Sequence, residues 1–292
     1  MIWKDWSNDM LKIVTDGAAD MPHGWAKRYQ IDILPLSVRF GEEEYFPGVN
    51  LKGFDFYRMV REKRIFPKTS LPSPQQVIAF YRSIAEKSEK ILSVHITSKL
   101  SGTFDSVQLA AHELKGEIDV YPFDSMAGSA ALGFMCREAR QLDLAGKTIQ
   151  DIILRLEQIR QKLTLIFTVD NLDFARFSGR VSALQSIFSS ALKIKPTIVL
   201  KDGLLELGDK VFSRQRSLDS ILETVKARVG EQAVRLAIVH AADLETARKM
   251  VIKAKERLNV KEIFITELSI PVAANLGPGT IGIVAIPEGG MG

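Results

Sequence analysis

The sequence predicts an α/β protein, and three observations carry that prediction. Short runs of apolar and β-branched residues alternate with segments whose apolar residues recur at helical spacing. Three of the early runs end in clusters of Ser, Thr, Asp and Gly, as strands do where they feed a loop and then a helix. After about residue 165 a hairpin signal and a denser series of strand-like runs appear. The chain is therefore expected to form two domains: 1–165 with a mostly parallel sheet, and 166–292 with a mixed or antiparallel sheet.

Taken in order, residues 11–15 read as a buried first strand that ends at the turn or cap cluster Asp16-Gly17-Ala18-Ala19-Asp20. Residues 31–40 are rich in apolar and β-branched side chains and read as one second strand. Helical spacing follows over 54–64. Residues 67–74 read as a loop, with Pro74 suited to the first turn of a helix running to about 87. A strand at 91–96 leads through the turn 97–103 into a helix ending near 114, and a strand at 118–123 meets Asp124 and Ser125 before a helix that runs to about 144. The helix expected over 148–162 places Ile149, Ile152, Ile153, Leu156 and Ile159 on one face. A strand at 164–169 and a short amphipathic helix at 181–192 come next. Strands at 194–200 and 204–212 flank the turn Asp202-Gly203. A helix over 213–229, a strand over 235–240, a helix over 244–258 and strands over 262–267 and 280–286 complete the series.

Composition narrows the function classes. With 292 residues and 46% hydrophobic content the chain can bury a large core. Its 39 Lys+Arg and 35 Asp+Glu are interspersed, giving a net charge of +4 with neither a clustered basic face nor a recognition helix for nucleic acid. The single cysteine, Cys136, cannot close an internal disulfide and reads as a buried small hydrophobe of a reducing compartment. No run of about 18 apolar residues is present, and the N-terminus lacks a basic segment followed by an apolar one, so a cytoplasmic location is expected.

Several motifs mislead. Gly277-Pro278-Gly279-Thr280-Ile281-Gly282 matches the spacing of a dinucleotide fingerprint, but a strand follows it where that chemistry needs a helix. Gly146-Lys147-Thr148 lacks the first glycine of a phosphate-binding loop, since Gln141 stands there. His23, His95, His112 and His240 form no metal-ligand spacing, so no metal site is expected. No G-x-S-x-G elbow supports a serine nucleophile.

The informative feature is a set of neutral hydroxyls at strand-to-helix turns: Thr15, Thr69, Ser70, Ser98, Ser101, Thr103 and Ser125. Beside helix N-termini such groups hold a carboxylate without a buried cation. Their local sequences are distinctive. Val14-Thr15-Asp16-Gly17-Ala18-Ala19-Asp20, Lys68-Thr69-Ser70-Leu71-Pro72-Ser73-Pro74, Leu100-Ser101-Gly102-Thr103-Phe104, Asp124-Ser125, Ser178-Gly179-Arg180-Val181-Ser182 and Gly277-Pro278-Gly279 follow one another in order. Together they resemble the signatures of the DegV family, over residues 11–286.

That resemblance implies a two-domain α/β fold with a fatty acid bound between and into the domains, and no cofactor. It implies that Thr69, Ser70 and Ser101 hold the ligand carboxylate, joined by Asn275 at the position of a family histidine. Gly17 replaces a family serine, a second departure. Family members present the acyl group to a separate fatty acid kinase, and Arg180 corresponds to an arginine that contacts the kinase or the acyl phosphate. Arg214 and Arg216 lie near a further basic motif, in which Phe212 stands where an arginine is expected.

A carrier is physically reasonable. Each methylene withdrawn from water contributes about 0.8 kcal/mol, so a tail of about fifteen methylenes supplies about 12 kcal/mol before entropic costs. The expected ligand is palmitate, stearate or oleate, and the head group needs only orienting. Phe167, Leu172, Phe174, Leu184, Ile187 and Phe188 follow the expected domain boundary and are candidates for the tail pocket. The competing reading is an enzyme acting on an acyl or phosphorylated substrate with Ser101 as nucleophile. It requires a histidine or lysine base within hydrogen-bond reach of Ser101 Oγ.

Overall fold

The computed structural model describes residues 10–85, 89–181 and 194–288. The chain opens with β1 (Lys12–Asp16), the single-turn helix α1 (Trp25–Arg28), β2 (Ile31–Leu34), β3 (Ser37–Phe40) and β4 (Glu43–Tyr45). Residues 31–40 are thus two strands, not the single one expected. Pro35 has no N–H for a ladder, and the chain changes sheets there. β2 pairs with β1 in parallel, whereas β3 pairs antiparallel with β4 and with β5 (Lys68–Ser70). β5 also corrects the loop expected over 67–74. Three residues carry no readable periodicity, and this strand exists because β3 offers it an edge.

Between and after these lie α2 (Gly53–Lys63), α3 (Pro74–Ile84), β6 (Lys90–His95), α4 (Thr103–Glu113), β7 (Asp119–Asp124), α5 (Ala130–Leu144) and α6 (Ile149–Lys162). Two of these helices begin at capping boxes, Ser73 with Gln76 and Thr148 with Asp151, and Pro74 occupies the first turn of α3. The strands β2-β1-β6-β7 form a fully parallel sheet.

The remaining elements are β8 (Thr164–Thr168), α7 (Leu172–Ser178), β9 (Thr197–Lys201), β10 (Leu204–Leu207), α8 (Arg214–Val229), β11 (Val234–His240), α9 (Leu244–Arg257), β12 (Val260–Glu267), α10 (Ile270–Leu276) and β13 (Ile281–Pro287). They build a six-stranded sheet, β10-β9-β8-β13-β11-β12, in which only β11 and β12 run parallel. The mixed sheet expected for the second half is therefore present. Asp202 (φ 48°) and Gly203 (φ 80°) both take positive φ, as the two-residue turn between β9 and β10 requires. Gly277 and Gly279 sit in a loop that leaves a helix and enters a strand, the reverse of the dinucleotide fingerprint.

Strand alternation sorts the cores. Ile13, Leu92 and Val94 of the parallel sheet and Leu165, Phe167 and Val284 of the mixed sheet share one central core. On the outer face of the parallel sheet, Val14 and Ile91 pack with Val77 of α3 and Val107 of α4. On the outer face of the mixed sheet, Ile166 and Ile283 pack with α8 and α9. Helix α5 lies on β1 and β6 and reaches across to the mixed sheet through charge pairs. Arg137 grips Glu262 of β12 at 2.5 and 2.7 Å, and Glu138 holds both Arg155 and Arg235 at 2.8 Å.

Candidate functional site

The loops at the carboxyl ends of the parallel strands are held from beneath by buried polar groups. Asp16 Oδ1 accepts from Ala18 N–H at 2.9 Å, and its Oδ2 accepts from Ile96 N–H at 2.8 Å. The same oxygen lies 3.0 Å from His95 Nδ1, while His95 Nε2 is 2.6 Å from Ser93 Oγ, which is 2.7 Å from the Tyr81 hydroxyl. Ser93, His95 and Asp16 have the connectivity of a hydrolytic triad, yet all three are fully enclosed and none lines the cavity that opens at these loops. Their effect is to lock β1, β6 and α3 together. One strand over, Asp124 accepts from Ser98 and Met126 N–H groups, and Ser125 Oγ bonds its own loop at Ala127.

This framework corrects part of the hydroxyl set. Thr15 is buried within β1, and Thr103 is fully buried in the first turn of α4. Ser125 builds its loop, and Thr69 stands in a strand. Ser101 remains beside the N-terminus of α4, with its Oγ 2.9 Å from Thr103 Oγ1 and accepting from Thr103 N–H at 3.3 Å.

A cavity opens where these loops face the mixed sheet. Its empty space is about 750 Å³ with the open mouth included, but centres of water-sized spheres fit into only about 90 Å³, so it is narrow. Apolar walls come from Leu36, Ile96 and Leu100 on one side and from Leu165, Leu200 and Leu205 on the other. Val272 and Leu276 of α10 close it. Its polar lining is Thr69, Ser101, Ser129, Ser178, Arg180 and Asn275.

Of the residues singled out from sequence, Thr69, Ser101, Asn275, Arg180 and Phe167 are brought together here, although they span more than two hundred positions of the chain. Ser70 is not part of the lining. Successive strand residues face opposite sides, and Ser70 pairs with Ser37. Leu172 packs into the central core, and Phe174 meets Phe66 at 5.0 Å and covers the backbone of Gly277, so neither lines the cavity. Leu184, Ile187 and Phe188 lie outside the described residues. Asn275 spends one amide N–H on Pro271 O at 2.7 Å, which leaves the other for a ligand. Arg214 is committed to Gly279 O and lies 3.6 Å from Asp243.

Sequence reasoning missed Ser129 and most of the apolar wall, and it placed Ser178 in a motif without giving it a role at the site. Ser129 stands in the loop after β7, so the rule that singled out Ser125 could have found it. Val272 and Leu276 gave no signal, because α10 is too short to show periodicity.

The electrostatics are spare. Arg180 donates to Ser178 O at 2.5 Å, and among the described residues no carboxylate pairs with it. Behind the wall, burial pushes the Asp20 carboxyl up to about 6, against the lowering effect of its hydrogen bonds to Ser129 and Ser269. Cys136 is unsuited to nucleophilic work, since burial pushes its thiol up to about 12. Among the described residues no cluster of three or more metal-ligating side chains occurs, and no helix is long and apolar enough to cross a membrane.

Comparison with known proteins places this architecture. The family model described as uncharacterised protein, DegV family, matches residues 10–288. The chain belongs to the DegV family. The DegV protein of Bacillus subtilis is 30% identical over 275 residues, covering 94% of this chain and 98% of that one. A DegV-family protein of Thermus thermophilus, whose structure was described for its fatty acid binding, superposes with a TM-score of 0.86 at 30% identity, covering 95% of this chain and 99% of that one. A stearic-acid-binding protein of Eubacterium ventriosum superposes with a TM-score of 0.86 at 26% identity, covering 96% and 99%.

Proposed function

We propose that this DegV-family chain binds one long-chain fatty acid as cargo in the cavity between its two sheets and performs no covalent chemistry on it. The observation that carries this reading is the junction, in one narrow cavity, of apolar walls with Thr69, Ser101, Asn275 and Arg180. The tail lies against Phe167, Leu165 and Leu205, where burial supplies affinity. The head group meets the hydroxyls of Thr69 and Ser101 beside the N-terminus of α4, whose partial positive charge favours an anion. The second amide N–H of Asn275 completes the donors.

Ser101 acts as a donor and not as a nucleophile in this reading. Its Oγ bonds Thr103, and among the described residues no histidine or lysine is hydrogen-bonded to it. Arg180, exposed at the cavity and unpaired by any carboxylate among the described residues, serves a separate fatty acid kinase or its acyl-phosphate product. The two domains, 1–165 and 166–292, each contribute one side of the cleft, and the carrier works in the cytoplasm.

Native mass spectrometry of protein purified from a bacterial host tests the reading. A bound mass corresponding to a fatty acid of about 14 to 18 carbons is expected, and Thr69→Val with Ser101→Ala should lose most of it. Protein that stays ligand-free in the presence of added palmitate or oleate refutes the proposal. A double variant that binds as the wild type does removes those two residues from the site.

A further inference from the structure

We infer that Asp20 is a positioning residue of the cavity, and that binding of a carboxylate ligand there is coupled to uptake of a proton by Asp20. The inference rests on the fatty-acid reading above. Asp20 is enclosed at the end of the loop after β1, 1% exposed. Its Oδ1 accepts from Ser269 N–H at 2.7 Å, and its Oδ2 accepts from the Ser129 hydroxyl. Backbone bonds fasten the same place: Asp20 N–H donates to Ser129 O at 3.2 Å, and Ser129 N–H donates to Ala18 O at 3.0 Å. Ser129 precedes α5 and Ser269 precedes α10. Ala18, Ser129 and α10 all line the cavity, so one carboxylate joins three segments of its wall.

Ser129 has a single proton to give. While Asp20 is ionised that proton points at Asp20, and the hydroxyl turns only lone pairs toward a ligand carboxylate. When Asp20 takes a proton from solvent, its Oδ2–H donates to Ser129 Oγ. The Ser129 proton is then free for a ligand oxygen. No other bond is made or broken.

The electrostatic field acts in the same direction. An anion entering a low-dielectric cavity disfavours a second, uncompensated negative charge behind the wall. Among the described residues no cation pairs with Asp20. Its titratable neighbour among them is Tyr57 of α2, whose buried hydroxyl has no hydrogen-bond partner there; Glu267 at the end of β12, whose carboxyl burial also raises, acts on the same Tyr57 hydroxyl. Among the described lining residues Arg180 is the cation of the cavity itself. Because burial already lifts Asp20 to about 6, a modest push protonates it near neutral pH.

Calorimetric titration of delipidated protein with oleate at pH 7, in buffers of different ionisation enthalpy, counts the protons. The wild type should take up on the order of half a proton per oleate, and its affinity should fall several-fold between about pH 6.5 and 8. Asp20→Asn presents an amide that donates to Ser129 at every pH. It should show no uptake, a flat pH profile and, at high pH, affinity at or above that of the wild type. Ser129→Ala, which keeps the carboxylate but loses the relay, should reduce the uptake. Uptake that persists in Asp20→Asn places the proton on the ligand and overturns the inference. Oleate binding without uptake in the wild type also overturns it, while the fatty-acid reading stands. An absence of oleate binding overturns that reading and this inference with it. If Asp20→Asn does not fold, the wild-type buffer series and Ser129→Ala still decide.

Discussion

Replacing Gly282 with alanine should narrow the cavity without altering any group that lines it. Gly282 of β13 lies directly opposite Phe167 of β8. A Cβ built on it falls 2.3 Å from Phe167 Cδ1, 2.7 Å from Cε1 and 2.8 Å from Val239 Cγ2. Carbon atoms rest about 3.5 Å or more apart, so the Phe167 ring must retreat by roughly 1 Å. The sheet is behind it, and the cavity that Phe167 lines is in front. Gly282 has no positive φ, so the backbone accepts alanine and the penalty is steric, about 1–3 kcal/mol of stability. A ring that intrudes by one or two methylenes removes about 0.8 kcal/mol of tail burial for each, which raises Kd about 4- to 15-fold. The assay is thermal unfolding together with affinity for fatty acids of about 12 to 18 carbons. Longer chains should lose more than shorter ones. A lowered Tm with wild-type affinity at every length would show that Phe167 does not border the tail.

Three further outcomes are expected. Arg180→Ala should retain fatty acid binding but lose acyl phosphorylation by a fatty acid kinase, measured with purified kinase and ATP; phosphorylation at the wild-type rate argues against the assigned role. Glu138→Ala strands Arg155 and the nearly buried Arg235 and should lower stability by about 3 kcal/mol in urea unfolding, whereas adding Arg235→Met should restore part of it; no loss would mean that these pairs do not couple α5 to the mixed sheet. Folded Asp20 holds its proton up to about pH 6 while the unfolded chain releases it near 3.8, so the stability it contributes is full below pH 3.8 and lost as pH rises through 6. That contribution is at most about 3 kcal/mol, and urea midpoints of Asp20→Asn should lack it; identical pH profiles for the two proteins would place the Asp20 carboxyl in an ordinary environment.

Local chemistry was legible wherever the information was local. Ser73 with Gln76 and Thr148 with Asp151 cap their helices through groups three residues apart, and Pro74 and Asp202-Gly203 specify backbone angles at their own positions. The long helices and buried strands follow from periodicity for the same reason. Residues 31–40 and 68–70 were misread because their structure depends on which sheet edge is nearby, and no short segment records that. Thr69, Ser101, Asn275 and Arg180 were recognisable as a set by their resemblance to family motifs, whereas Leu205 and Val272 belong to the cavity only by position.

Sequence alone therefore determined the alternation of strands and helices, the caps and the tight turn, since each depends on interactions within a few residues. Tertiary structure decided what those elements enclose. It set Gly282 beneath the Phe167 ring, turned Thr69 into the cavity and Ser70 away from it, and joined Asp20 to Ser129 and Ser269 across 109 and 249 positions. Such contacts form only when strands and loops far apart in the sequence pack together. Burial, hydrogen-bond partners and proton affinity are properties of that packed environment, not of the residues that enter it.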